Sequence, residues 1–265
     1  LKNKHKAVLS ITGLGFLFSN SFQAWLLRLI VKPFIRRLFN KSFDVIIFQN
    51  HSDEKLFLKF SRFSKQTKLI PSSGIEIDNF KKRINKPNNL AKKKVIFVSR
   101  LLYDKGIFDY MNLVNKVNKE KFEFYLAGER DDGNPQNISD SDMERILNEE
   151  NLNYVGKIDV ETELSKFDIS IIMSSHEGFS RILLESLYVG LYCLAYKIQG
   201  TEVMKGFENL ELIEVNHIEK FVEFIENFND IDDNSKNIQL TELLYTSKVV
   251  ASQFESIYKN LGVLD

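Results

Sequence analysis

The chain is short of the residues that mark several protein classes. Cys193 is its one cysteine, so no disulfide can close within it; it sits in an apolar run, 191–195, and reads as a small buried hydrophobe in a reducing compartment. Excess charge is also missing, with 36 Lys and Arg against 36 Asp and Glu, so overall charge gives no reason to expect a nucleic acid partner. No uninterrupted apolar run approaches the length that crosses a bilayer. Residues 1–6 lack the layout of a signal peptide and lead straight into a strand-like run. The chain begins without Met and is expected to open in the middle of a domain. His5, His51 and His217 show no metal-ligand spacing, and internal repeats and low-complexity segments are absent.

What is present reads as an ordinary globular chain, 43% hydrophobic and 27% charged, long enough for one complete domain and part of another. Residues 7–11 read as a strand, followed by the flexible turn Thr12-Gly13-Leu14-Gly15. A helix is expected over 22–39, a buried strand over 44–48, a helix over 52–63 capped by Ser52, and a short strand over 68–71. The polar, basic stretch Phe80 to Lys94, with Pro87-Asn88-Asn89, suits a linker, a solvated surface loop within one domain being the alternative. These features divide the chain into a partial first domain, 1–80, a linker, 81–94, and a second domain, 95–265. In the second domain, strand patterns at 95–98, 122–126, 153–155, 169–173 and 192–195 alternate with helical stretches near 107–118, 140–149, 160–167 and 182–189. Short buried strands alternating with helices predict a parallel sheet covered on both faces, and right-handed crossovers make it a Rossmann-like α/β domain. Helices over 221–228 and 240–258 complete it.

In such sheets ligands bind beyond the carboxyl ends of the strands. Three polar or glycine-bearing segments fall there: Ser99 to Gly106, Ala127 to Pro135, and Ser174 to Ser180 opening a helix that holds Glu185. Arg100 and Lys105 place two cations near a helix start, where they can hold a diphosphate; two surface cations are the plainer alternative. Glu177 and Glu185 stand eight positions apart. On a continuous helix that is a rise of about 12 Å, close to the reach from sugar ring to ribose in a nucleotide-sugar. One carboxylate then accepts sugar hydroxyls and the other ribose hydroxyls; two solvated glutamates are the alternative. Gly178 between them permits close approach of the backbone, and the amides of Phe179 and Ser180 can face phosphate.

These motifs resemble the retaining GT-B glycosyltransferase family 4, especially members that extend bacterial polysaccharides and lipid-linked oligosaccharides. Ser99-Arg100-Leu101 with Lys105-Gly106 is similar to the family's phosphate motif, Glu177 through Glu185 to its E-x7-E motif, and residues 72–80 to the segment entering its second domain. Gly128 through Pro135 and Thr12 to Gly15 look like features of a subgroup using UDP donors. The resemblance implies a GT-B α/β fold with a complete C-terminal and a partial N-terminal Rossmann-like domain. It implies a hexose or N-acetylhexosamine moved from a UDP-sugar to a glycan or polyprenyl-diphosphate-linked acceptor, in the cytoplasm, either free or peripheral on the inner membrane face. Arg100 and Lys105 are expected to bind the donor diphosphate, Glu177 the transferred sugar and Glu185 the ribose, with no cofactor and no obligatory metal. Ser99 stands where Gly is usual and Ser180 where Pro is common. Arg181 is an unusual neighbour, either a further phosphate contact or an outward cation.

One other signal stays open at this level. The 22–39 helix combines Trp25, Leu26, Leu29, Ile30, Phe34 and Leu38 with Arg28, Lys32, Arg36, Arg37 and Lys41, which suits either an anionic membrane surface or a core-packed helix. Two alternatives to a self-sufficient transferase also remain: a donor-binding fragment inactive without a complete N-terminal domain, and a GT-B-type UDP-sugar epimerase.

Overall fold

A computed structural model describes residues 6–14, 22–83, 92–231 and 233–263, apart from the side chains at 23 and 24. Two compact units emerge, one formed by 1–74, 177–179 and 244–265, the other by 75–176 and 180–243. The expected linker, 81–94, lies largely outside the described residues, as does Gly15 of the expected first turn.

The first unit holds three parallel strands in the order β1 (Val8–Ile11), β2 (Val45–Phe48), β3 (Gln66–Leu69), joined by helices α1 (Phe22–Ser42) and α2 (His51–Ser61). The strand period of two decides its packing. Val45 and Ile47 face a cluster with Ile70, Val250 and Ile257, whereas Ile46 and Phe48 face Phe57 and Phe63, with Ile35 and Phe39 of α1 against them. Helix α2 begins one residue before the expected cap: Asn50, not Ser52, caps it, its side-chain oxygen accepting from the Asp53 amide at 2.7 Å.

The second unit carries six parallel strands: β4 (Lys93–Val98), β5 (Phe122–Ala127), β6 (Leu152–Gly156), β7 (Ile169–Ile172), β8 (Tyr192–Tyr196) and β9 (Leu210–Ile213). Their spatial order is β6-β5-β4-β7-β8-β9. The chain winds outward from β4 to β6, then crosses to β7 and winds outward the other way. The reversal falls between β4 and β7, the place where doubly wound sheets bind ligands. Both strands are central and apolar; every residue of β7 is buried, as are Val95, Ile96 and Phe97 of β4. Helices α3 (Ile107–Val114), α4 (Asp140–Leu147), α5 (Val160–Glu163), α6 (Arg181–Val189), α7 (Gln199–Glu202), α8 (Ile218–Glu226) and α9 (Ser235–Leu244) connect or cover the strands. Cys193 is fully buried, and burial pushes its thiol pKa well up.

Two elements depart from the sequence pattern. Strand β9 is only half-covered along most of its length, which leaves its apolar signal weak. The single helix expected over 240–258 is two, α9 and α10 (Ser247–Asn260), because the Thr246 hydroxyl accepts from the Val249 amide and starts a new helix. Residues 244–265, read from sequence as part of the second domain, belong to the first unit, since Val250 and Ile257 of α10 cover β2.

Candidate functional site

Within the second unit, the loops leaving β4 and β7 touch each other at the switch point. Asp104 gives its carbonyl oxygen to both the Ser175 amide, at 2.9 Å, and the Ser175 hydroxyl, at 3.1 Å. Gly106 closes the short turn Tyr103–Lys105 with φ +79°, and a Cβ there would stand 2.2 Å from the Met173 carbonyl oxygen. Only glycine meets both demands, which explains why Gly follows Lys105. Arg100 extends into solvent from the end of β4 and donates to the Asp131 carboxylate at 2.5 Å. Hydrogen bonds from Asn134 and Arg100 hold Asp131 below its ordinary pKa. Lys105 is half-buried in the same turn.

Glu177 and Glu185 are not on one helix. Residues 177–180 form an irregular segment, and α6 starts only at Arg181, so the helical rise between the two carboxylates does not exist. Glu177 is half-buried and falls with the first unit, together with Gly178 and Phe179. There Gly178 packs against its own fold: a Cβ on it would lie 1.8 Å from the Thr12 carbonyl oxygen, and its own carbonyl accepts from the Asn50 side chain at 2.9 Å. The close approach expected of Gly178 toward a ligand is thus already made to the β1 turn. Phe179 stacks obliquely on Tyr245 with centroids 5.7 Å apart. The Ser180 amide, expected to face phosphate, donates instead to the Gly200 carbonyl at 3.1 Å. Its hydroxyl has a different status. The Ser180 Oγ and Asp104 Oδ1 are two of three buried side-chain polar atoms lacking a hydrogen-bond partner among the described residues. Buried polar groups are normally paired, so both atoms call for a partner outside the protein, water or ligand.

Glu185 is set by the sheet beneath it. Leu183, Leu184 and Leu187 bury one face of α6, and the Ser186 hydroxyl bonds Ser170 of β7 at 2.9 Å. The Glu185 side chain is 8% exposed, and its Oε1 accepts from Arg181 Nε at 2.6 Å, one helical turn back. Burial raises the Glu185 pKa, and the Arg181 guanidinium opposes that rise. Both residues line a pocket of about 640 Å³ with Lys157, Ile158, Asp159, Val160 and Glu161, on the segment leaving β6. That volume is within the range of small-molecule sites. No sequence motif marks this segment, and the partner of Arg181 is signalled in the sequence only by the i, i+4 spacing of Arg181 and Glu185. His176 is exposed and contacts only its neighbour Ser175 at 3.1 Å, among the hydrogen bonds observed. Among the described residues, no group of three or more His, Cys, Asp or Glu side chains is placed to hold a metal ion.

The family model for glycosyl transferases group 1 matches residues 78–239, well over half of the chain. The chain belongs to this family. As a group 1 glycosyl transferase it has Arg100, Lys105, Glu177 and Glu185 all inside the matched segment. No curated protein sequence matches it significantly. Solved structures do. Sucrose-phosphate synthase from Thermosynechococcus elongatus is similar with a TM-score of 0.75 at 18% identity, over 96% of this chain and 67% of that one. Anabaena HepE in complex with UDP and glucose gives 0.73 at 16%, over 96% and 71%. The pneumococcal O-GlcNAc transferase GtfA in complex with UDP and GlcNAc gives 0.62 at 17%, over 87% and 47%. These likenesses establish the α/β, GT-B type fold with parallel sheets. The chain spans about two thirds of the first two proteins and about half of the third.

Proposed function

We propose that this group 1 glycosyl transferase is a retaining enzyme of the family 4 type, moving a hexose or N-acetylhexosamine from a UDP-sugar. The acceptor is a glycan or a polyprenyl-diphosphate-linked oligosaccharide in bacterial surface polysaccharide synthesis, at the cytoplasmic face of the membrane. The observation that carries the reading is Glu185, a buried carboxylate lining a pocket beyond the strand ends, inside the segment the family model matches. The UDP bound by HepE and by GtfA supports the choice of nucleotide.

In this reading the pocket of Lys157 to Glu161 receives the nucleoside, and Glu185 accepts hydrogen bonds from the ribose hydroxyls. Arg100, exchanging Asp131 for phosphate, and Lys105 stabilise the diphosphate as charge builds on it. Glu177 accepts from hydroxyls of the transferred sugar. The acceptor oxygen bonds to the anomeric carbon on the face from which the diphosphate departs. The carbon–oxygen bond to phosphate breaks through an oxocarbenium-like state, and the departing phosphate oxygen takes the acceptor proton. Protein cations thus do the work a metal ion does elsewhere.

Calorimetry with UDP tests the donor site. The chain is expected to bind UDP, and Glu185→Gln to weaken binding about 10–100-fold, the effect of losing a charge-assisted hydrogen-bond acceptor. A normally melting chain that takes up no UDP would sink the reading. In a second reading, the chain binds the donor without completing transfer. Incubation with UDP-N-acetylglucosamine separates the remaining options: free UDP marks transfer or hydrolysis, an epimerised UDP-sugar marks an epimerase, and unchanged donor that remains bound marks a binding fragment.

A further inference from the structure

Arg181 stands outside the roles assigned above, yet it makes the shortest polar contact of the pocket. Its Nε reaches Glu185 Oε1 at 2.6 Å, and both side chains line the same cavity. We propose that Arg181 is a positioning residue for the nucleotide: it fixes the Glu185 carboxylate, by one oxygen, in the orientation and charge state that grips the ribose diol. The inference rests on the assignment of Glu185 to the ribose.

Ile158 and Val160 give the pocket apolar walls, and Asp159 and Glu161 bring two more carboxylates. Lys157 is the other cation lining it, on the segment leaving β6. Lys166, on the turn behind α5, is engaged by Glu163 at 2.6 Å, and Asp168, ahead of β7, by Arg83 at 2.6 Å. A carboxyl so enclosed is pushed toward its neutral form first by burial, with Glu161 adding to the effect, and Arg181 pulls it back. The charge state matters because two vicinal ribose hydroxyls donate best to an acceptor-only group. An ionised carboxylate offers about four lone-pair sites, of which Arg181 occupies one; a protonated one becomes a donor itself. Geometry matters equally. Four residues apart on α6, Arg181 Nε holds Oε1, and Oε2 is left to accept from the ligand. The guanidinium is more than half exposed, with N–H groups to spare beyond the one Glu185 uses.

Three variants distinguish this role from a merely structural one: Arg181→Gln, Arg181→Lys and Glu185→Gln, each checked for an unchanged melting transition. UDP affinity is measured by calorimetry from about pH 5 to about pH 9, a span that brackets a carboxyl raised by burial. The wild type is expected to hold a constant affinity from about pH 7 upward. Arg181→Gln is expected to bind about tenfold more weakly than wild type at the acid end of this span and to close the gap as pH rises, because Glu185 then ionises without help. Arg181→Lys, which restores the charge, is expected to regain most of the loss. In the absence of nucleotide, the Glu185 carboxyl resonance, identified by its loss in Glu185→Gln, is expected to titrate at higher pH in Arg181→Gln than in wild type. Arg181→Gln affinity equal to wild type at every pH, or reduced by one constant factor with no recovery, overturns the positioning role. So does an unmoved Glu185 titration. Wild-type affinity in Glu185→Gln overturns the ribose assignment instead, and the two failures are told apart by which variant shows the effect.

Discussion

At the scale of single residues, the motif positions divide by the reason each residue is there. Gly106 and Gly178 are both dictated by backbone: Gly106 meets the Met173 carbonyl and Gly178 the Thr12 carbonyl, at separations no Cβ tolerates. Gly106→Ala adds a positive φ to that clash, so it is expected to lower stability by about 2–4 kcal/mol. Urea denaturation measures it, and a loss under about 1 kcal/mol would show that the turn relaxes freely. UDP affinity should fall with it, because the turn bears Lys105. Glu185 and Arg181 are there for charge. Their i, i+4 spacing permits the pair, but only the folded chain shows it, with the pocket they line completed by the segment leaving β6.

Among the elements, α1 packs one side into the core and leaves the other exposed. Its inner side, through Ile35 and Phe39, packs into the cluster around Phe48 and Phe57. Its other side leaves Phe22, Trp25, Leu26, Leu29, Ile30, Phe34 and Leu38 exposed, with Phe22 at 75% and Phe34 at 71%. The helix has five Lys or Arg and no acidic residue, although Arg36 is partly spent on the Phe60 carbonyl and Lys32 lies over the Phe60 ring. Among the described residues, no helix is long and apolar enough to cross a membrane. We propose that this exposed apolar side, rimmed by cations, lies on the surface of an anionic bilayer. Vesicles with anionic lipid are expected to sediment the chain at low salt and release it as salt rises, since the Debye length shrinks to about 8 Å at physiological strength. Leu29→Asp with Ile30→Asp should abolish sedimentation; equal sedimentation by neutral vesicles, or none by anionic ones, would reject the idea. Helices and strands with clear periodicity were readable from sequence to within a few residues. The break at Thr246 and the edge strand β9 were not, because a capping hydroxyl competes with helix continuation and an edge strand has a weak apolar pattern.

For the whole molecule, ion pairs between residues distant in sequence tie the second unit together. Arg83 donates to Asp168 at 2.6 Å and to Asp230 at 3.1 Å, while Lys93 reaches Asp230 at 2.7 Å. Hydrogen bonds from Lys93, more than burial opposes, hold the Asp230 pKa below its ordinary 3.8. A carboxylate with a lowered folded pKa adds stability that is fully present above its ordinary value and is lost as pH falls through the folded one. Asp230→Asn is therefore expected to melt lower than wild type at about pH 7, with the difference shrinking below about pH 4. Melting curves at a series of pH values check this, and a gap that stays constant into acid would count against it. Taken alone, the sequence determined the alternation of strands and helices, the order of the motifs along the chain and the identity of the charged groups, since these depend on local periodicity and spacing. Tertiary structure decided which strands became neighbours, and so that β4 and β7 meet at the switch point. It also decided that Glu177 to Phe179 pack with the first unit, and that Glu185 is buried and paired with Arg181. Burial and carbonyl contacts such as Thr12 to Gly178 arise between residues far apart in the chain, and no local pattern encodes them.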